Sequence, residues 1–393
     1  MDSRLVNLIK YSKAIYSVYY YAMNTVFNGM KLFEKTDEKL ILFNSFAGRK
    51  YDDSPKAIFD LMKEDERFKD YKLVWALHHP EAYETDGAEK IKTDTPEYFK
   101  YALRARVWVS NSSFERGLHF KNRNTFFLNT WHGTPIKKMG SDIEHNRSFG
   151  AKTMDTIDVM MAQSDFDADV FSRSFGIPKE SFLKAGLPRN DQLANYTEAD
   201  RDEFRKKLGI PEGKKVILYC PTFREYDKDE NGVILRMPMD LKKWQEKLGN
   251  EYVLLFRAHY EVAKAMGIEE NEFVRNMTDY PSLNELMIAS DLLISDYSSI
   301  FIDYSIMDKP MLHYTYDYDQ YASLRGMYFD IRDYISGDDD EDALIDLILN
   351  LQFNKEVKKT GIFRNTYVQY YGNAAKAAVE CIAENLGLQG DLL

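Results

Sequence analysis

Cysteine is almost absent: Cys220 and Cys381 are the only two in 393 residues. Neither belongs to a CxxC pair or a Cys/His cluster, so no structural zinc site is indicated, and the scarcity of thiols suits a reducing compartment. Basic character is also missing. The chain has 52 Lys and Arg against 63 Asp and Glu, a net charge of −11, and no basic stripe, which argues against nucleic acid as a partner. An acidic chain still binds phosphates where donors are concentrated locally. There is no GxGxxG, no P-loop and no DxD-like pair in a convincing context, so the usual nucleotide and metal–diphosphate signatures are excluded. The N-terminus lacks a clean apolar core and a small-residue cleavage site, and is not a signal peptide.

Charge is missing from one more place. Nothing between Lys13 and Lys31 is ionised, and the run is rich in tyrosine (Tyr16, Tyr19, Tyr20, Tyr21). A bilayer-spanning helix needs about 20 mostly apolar residues. This run is shorter and carries Ser17, Asn24 and Asn28. Two readings stand side by side. Its tyrosines suit the headgroup zone, with Arg4, Lys10 and Lys13 meeting anionic lipid. Equally, it reads as an ordinary amphipathic helix packed on the first domain.

What is present is a folded composition, 44% apolar and 14% aromatic, long enough for two or three domains. Short apolar runs alternate with helical stretches. The first series of strands is predicted at Leu40–Phe43, Leu73–Leu77, Val107–Ser110, Phe126–Thr130 and Val159–Ala162. The second is predicted at Val216–Tyr219, Tyr252–Phe256, Phe273–Arg275, Leu292–Ser295 and Met311–Tyr314. Helices are expected at Pro55–Lys63, Asp165–Phe175, Asp202–Leu208, Leu283–Ala289 and Ile300–Met307. This alternation predicts an α/β protein of two doubly wound, Rossmann-like domains facing a cleft. The turn formers of Gly186–Asp191 mark the boundary. The expected layout is an N-terminal segment 1–34, domains 35–191 and 192–372, and a C-terminal helix 373–393 crossing back to the first domain. The acidic run Asp338–Asp342 reads as the N-terminus of the helix that follows, favoured by the helix dipole, and not as a metal site.

Ligands of open α/β sheets lie beyond the carboxyl ends of the strands. His132 and Gly133 stand at one such end, followed by Thr134, Lys137 and Lys138. A neutral histidine there takes a proton from an attacking hydroxyl, or simply caps a loop. Arg257 and His259 follow another strand and share one side if it continues. They suit a phosphate, or form a surface salt bridge with Glu261. Asp296, Ser298 and Ser299 follow a third strand, where serines opening a helix offer an anion site as well as capping. Thr222 and Arg224 follow a fourth. With no acidic pair suited to Mg²⁺, a metal-free diphosphate site remains, neutralised by arginine, serine and a helix end.

In this combination the chain resembles the CDP-glycerol glycerophosphotransferases of teichoic-acid synthesis. The motifs are Asn44–Phe46 and Gly48 with Tyr51–Pro55, Trp131–Gly140, Gly186–Asp191, Pro221–Arg224, Arg257–His259, Asp291–Asp303, and Tyr316-Asp317 through Arg325–Asp330. The resemblance implies a glycosyltransferase-B-like fold, no cofactor and no metal. It implies glycerol phosphate transfer from CDP-glycerol, with CMP leaving, onto a lipid-linked acceptor such as an undecaprenyl-diphosphate carrier at the cytoplasmic membrane face. It implies His132 and His259 as the functional histidines, with Thr222, Arg224, Arg257, Asp296, Ser298, Ser299 and Arg325 on the donor. Tyr280 and Pro281 are placed near the cytosine, and Gly133, Thr134, Lys137 and Lys138 on the acceptor side. CDP-ribitol as donor, and a non-catalytic membrane-bound scaffold, are the rival readings.

Overall fold

The computed structural model describes residues 12–143, 154, 156–222, 224, 228–229, 232–233, 238–258 and 268–390. The chain divides into two compact units. The first holds Met1–His132, Met139–Asp191 and Tyr370–Leu393, and the second holds Gly133–Lys138 and Gln192–Gln369. The segment 133–138 therefore groups with the second unit, whereas the linear reading left it in the first.

Among the described residues, the first helix of the first unit is α1 (Lys13–Lys31), and the unit is built on a seven-stranded sheet. Its strands are β1 (Asp37–Asn44), β2 (Lys72–Leu77), β3 (Glu89–Lys92), β4 (Ala105–Ser110), β5 (Phe126–Asn129), β6 (Val159–Ala162) and β7 (Phe182–Lys184). All pairs are parallel, in the order β3-β2-β1-β4-β5-β6-β7. The strand order reverses between β1 and β4, the place where such sheets open a crevice. Ile41, Phe43, Val107, Val109 and Leu128 are buried against Ile58, Phe59 and Met62 of α2 (Asp53–Glu64). Burying each such side chain contributes about 1.5–3 kcal/mol. The sequence sets the helix ends locally. Thr95 accepts from Tyr98 N ahead of Pro96 in α3 (Pro96–Arg104), and Ser164 caps α4 (Asp165–Phe175), which stops at left-handed Gly176.

In the second unit, α5 (Glu198–Lys207) is closed by a capping box between Thr197 and Asp200. The strands of the unit's six-stranded sheet are β8 (Lys215–Cys220), β9 (Tyr252–Phe256), β10 (Val274–Asn276), β11 (Leu292–Ser295), β12 (Met311–Tyr314) and β13 (Ser336–Asp338). They run parallel in the order β10-β9-β8-β11-β12-β13, the same winding as the first sheet. Both units are Rossmann-like, as the strand–helix alternation predicts. Ile217, Leu254, Ile294 and Leu312 pack on Trp244 and Leu248 of α6 (Leu241–Leu248). Further helices are α7 (Leu283–Ala289), α8 (Ile300–Ser305), α9 (Tyr318–Arg325), α10 (Glu341–Leu349) and α11 (Phe353–Tyr367). Asp340 caps α10 by accepting from Ala343 N, which explains the acidic run.

The last helix, α12 (Ala374–Leu386), packs in the first unit, where Ala378, Val379 and Ile382 join its core. The Asp191 carboxylate closes its N-terminus, accepting from Ala374 N (2.9 Å) and Ala375 N (2.7 Å). Gly186 allows this junction. It sits at φ +100°, and a Cβ there would lie 2.7 Å from Tyr370 O. Gly186→Ala is expected to destabilise the protein by about 1–3 kcal/mol, read as a lower urea midpoint at unchanged slope. An unshifted midpoint would show that the junction relaxes without cost.

Candidate functional site

In the first unit, parallel pairing lines up the loops that follow β1, β4 and β5. Phe46 (φ +49°) and Ala47 (φ +58°) turn left-handed after β1. That turn is held from the β4 loop, where Asn111 Oδ1 accepts from Phe46 N (2.7 Å) and Ser112 Oγ from Ala47 N (2.8 Å). Asn129, at the end of β5, donates to Ser112 O (2.6 Å) and accepts from Trp131 N (2.8 Å). Trp131 is also left-handed (φ +52°), and Gly133 takes φ +137°. His132 lies between them.

The His132 ring stacks on Trp131 at 4.2 Å and stands 5.8 Å from Phe46. Its Nδ1 is 2.9 Å from the carbonyl oxygen of Asn111. A carbonyl only accepts, so Nδ1 carries the proton and Nε2 of the neutral ring presents its lone pair. Among the described residues no hydrogen bond reaches Nε2. Burial pulls the imidazole below its ordinary pKa. The Asn111 carbonyl works the other way, and the Arg189 guanidinium adds to the lowering. The ring is therefore neutral near pH 7 and poised to accept a proton. Arg189 Nη1 donates to the His132 carbonyl (3.0 Å) and to Asp53 Oδ2 (2.7 Å). Burial alone would raise the Asp53 carboxyl, but Arg189 and the Ser54 N–H hold it below the usual carboxylate range.

Thr134, Lys137 and Lys138 pack within the second unit. Thr134 is buried. Lys137 bridges Met327 and lies over the Tyr321 ring at 5.0 Å, and Lys138 N donates to Gly326 O (3.1 Å). Gly326 (φ +74°) leaves room for the Lys138 stem, whose Cδ would lie 3.0 Å from a Cβ. These lysines thus meet the motif that begins at Arg325. Arg325 closes α9, and its side chain lies outside the described residues, as does His259.

The remaining expected donor residues follow β8, β9 and β11. Arg224 is 3% exposed. Its guanidinium pairs with Asp296 (2.9 Å) and Asp317 (2.6 Å) and donates to Thr222 O (2.7 Å). The rings of Tyr297, Tyr316 and Tyr321 surround it at 5.0–5.2 Å. Two carboxylates more than neutralise one guanidinium, so Arg224 braces the loop instead of offering free charge to a phosphate. Asp296 orients that loop, accepting from Thr222 N (3.0 Å) and Tyr297 N (2.6 Å). Arg257 donates to Met277 O (3.2 Å) and Tyr280 O (2.6 Å), which ties the Tyr280–Pro281 loop to the end of β9. The Tyr280 hydroxyl bonds Glu285, and exposed Pro281 follows it.

Ser299 precedes α8 without a side-chain cap bond, and Ser298 Oγ accepts from Ile300 N at 3.3 Å. Helix α8 has six residues and ends at Ser305, two short of the expected Met307. So short a helix lends little dipole to an anion. Among the described residues of the second unit, two hydroxyl oxygens, Thr222 Oγ1 and Thr278 Oγ1, are buried without a partner. Among the described residues no three His, Cys, Asp or Glu side chains gather as a metal site would require.

A family profile described as CDP-glycerol:poly(glycerophosphate) glycerophosphotransferase matches residues 26–384. A teichoic acid glycerol-phosphate transferase of Staphylococcus aureus is 30% identical, over 88% of this chain and 90% of its own length. A teichoic acid poly(glycerol phosphate) polymerase of Staphylococcus epidermidis is 33% identical over 78% of this chain, and the chain spans 45% of that polymerase. Among solved structures, the wall teichoic acid polymerase TagF, in a histidine-to-alanine variant, superposes with a TM-score of 0.83 at 28% identity, covering 93% of both chains.

The Arg224 site makes a prediction independent of activity. Asp317→Ala leaves the buried guanidinium paired with Asp296 alone and removes an acceptor from the Tyr297 hydroxyl, and is expected to cost about 1.5–3 kcal/mol in urea unfolding. A loss below about 1 kcal/mol, the range of exposed pairs, would show that Arg224 does not depend on Asp317.

Proposed function

The chain belongs to the CDP-glycerol:poly(glycerophosphate) glycerophosphotransferase family, and from that membership we propose that it transfers glycerol phosphate from CDP-glycerol to a hydroxyl of a lipid-linked teichoic-acid or capsule acceptor, releasing CMP. The observation that carries the reading is the His132 ring, neutral, clamped, and with Nε2 unpartnered. The acceptor oxygen attacks the β-phosphorus of CDP-glycerol in line and gives its proton to Nε2. The new O–P bond forms as the bond to the bridging oxygen breaks, and CMP leaves with that electron pair. General-base help of this kind is worth about 10²–10⁴-fold.

The second unit supplies the donor groups in this reading. Thr222 and Thr278 bring buried, unpartnered hydroxyls at strand ends, and half-buried Ser298 and Ser299 add hydroxyls at the start of α8. Arg257, His259 and Arg325 are assigned the diphosphate charge, with Tyr280 and Pro281 beside the base. Arg224 and Asp296 shape the Thr222 loop. Lys137 and Lys138 keep the acceptor-side assignment. A non-catalytic scaffold has no need of a neutral, clamped histidine, so the same site argues against that reading.

Attachment to the cytoplasmic membrane face is assigned to α1. One face of α1 is fixed to the first unit. Phe27 stacks on Phe120 at 4.6 Å, Asn24 Oδ1 accepts from His119 N (2.9 Å), and Tyr16 donates to Gly117 O (2.9 Å). The opposite face is uncharged and exposed at Ile15, Val18 (72%), Tyr21 and Val26, and it continues past the helix end to Leu32 (82%) and Phe33 (86%). No described helix is long and apolar enough to cross a membrane. An apolar face of this kind suits shallow insertion into the interface.

Four measurements test the proposal. Purified protein with a lipid-linked acceptor should release CMP from CDP-glycerol and be far slower with CDP-ribitol. Equal or preferred use of CDP-ribitol would replace the donor, and release from neither would end the reading. His132→Ala should lower kcat by about 10²-fold or more while donor binding survives. The wild-type acid limb of kcat/KM should fall below the ordinary imidazole value near 6.5, because the base works only unprotonated and its pKa is lowered. A double Val18→Glu, Leu32→Glu variant should lose binding to anionic vesicles that the wild type sediments with, and equal sedimentation would remove α1 from attachment.

A further inference from the structure

Two sequence motifs have no role in the reaction described above: Tyr51–Pro55, and the boundary loop Gly186–Asp191. They meet behind His132. Arg189 Nη1 donates to Asp53 Oδ2 (2.7 Å) and to the main-chain carbonyl of His132 (3.0 Å). Arg189 N lies 3.3 Å from Ser54 Oγ, and Ser54 N donates to Asp53 Oδ1 (2.8 Å). The pair is largely shielded from solvent, with side-chain exposures of 16% for Arg189 and 8% for Asp53. Asp53 itself is left-handed, at φ +67°, where it opens α2.

The His132 peptide needs such support. Left-handed Trp131 precedes it, and Gly133 follows at φ +137°, a conformation closed to most residues. On the ring side, Nδ1 is held by Asn111. On the main-chain side, the hold is Arg189. Together these contacts set both ends of the residue that carries the base.

We infer that Asp53 and Arg189 form a positioning pair that fixes the backbone of His132 and thereby the direction of its Nε2. The inference rests on His132 being the general base. It adds an electrostatic consequence. The charged side chains acting on the ring are Arg189 from the boundary loop, Asp53 from α2, and Arg49 from the loop after β1. Lys50 sits over the neighbouring Phe46 ring at 5.7 Å. Arg189 opposes protonation of the ring, and Asp53 favours it. Removing each charge should therefore move the titration of His132 in opposite directions, which a merely structural pair would not do.

The test compares Arg189→Lys, Arg189→Met and Asp53→Asn with the wild type. CMP release is measured at saturating CDP-glycerol, together with KM, the pH profile, and the His132 titration by NMR. Misplacing a base by about 1 Å costs about 10²-fold, so kcat should fall by that order in Arg189→Met and Asp53→Asn at unchanged KM. The acid limb should rise in Arg189→Met and drop in Asp53→Asn. Arg189→Lys keeps the charge but replaces the planar guanidinium, whose Nη1 makes both bonds, with a compact ammonium on a flexible stem, so its kcat should fall while the limb stays in place. Where Arg189→Met fails to fold, Arg189→Lys and Asp53→Asn decide. Folded variants with wild-type kcat and an unmoved His132 titration would overturn the inference. A wild-type kcat in His132→Ala would instead overturn the general-base reading, and the NMR titrations would then judge the pair on its own.

Discussion

Asn111 holds the first site together because it bonds in two directions from one residue. Its side-chain oxygen fixes the left-handed turn after β1, and its main-chain oxygen fixes the His132 ring after β5. Both bonds depend on β4 lying between β1 and β5, paired in parallel with each. Parallel neighbours end on the same edge of a sheet, so residues far apart in sequence meet there without any local turn. The tautomer of His132, and through it the chemistry available at Nε2, follows from that strand order.

The second unit repeats the winding and uses its edge differently. The charge of Arg224 is consumed internally, since it is matched by Asp296 and Asp317 and walled by three tyrosines. Buried ion pairs seldom add net stability, but breaking one is costly, and this asymmetry suits a group that must keep one geometry. The product of that rigidity is the Thr222 loop, whose N–H is held by Asp296 and whose hydroxyl is left unpartnered. A buried donor without a partner costs about 1–3 kcal/mol, a cost that a bound acceptor oxygen would remove.

Sequence patterning reveals the central strands because they are short apolar runs buried on both faces, as Ile41–Phe43 and Leu292–Ser295 are. It misses β3, β7 and β13. Glu89–Lys92, Phe182–Lys184 and Ser336–Asp338 are edge strands, three or four residues long and mostly half-exposed, with no apolar run to mark them. His132 is legible from its place at a strand end. The bracing role of Arg224 is not, because Asp317 lies 93 residues away. Nor is that of Arg189, 57 residues from the carbonyl it holds. In both cases burial decides whether an arginine is free for a ligand, and burial follows from tertiary pairing, not from local pattern.

Backbone strain separates the two sheet edges further. Of the eight described non-glycine residues with positive φ, Phe46, Ala47, Asp53 and Trp131 all belong to the loops around His132. The one such residue in the second unit, Asp308, follows α8 at the approach to β12, away from the carboxyl ends of the strands. Each left-handed residue costs about 1–2 kcal/mol. Such conformations persist only where surrounding bonds over-determine them. Around His132 those bonds come from Asn111, Ser112, Asn129 and Arg189, four side chains from three separate segments. A general base has to be held to within fractions of an ångström. Hydroxyls that accept or donate by rotating about one bond tolerate looser support. Among the described residues, left-handed strain is concentrated in the first unit, which is the distribution expected under the proposed assignment of the proton-accepting group to that edge.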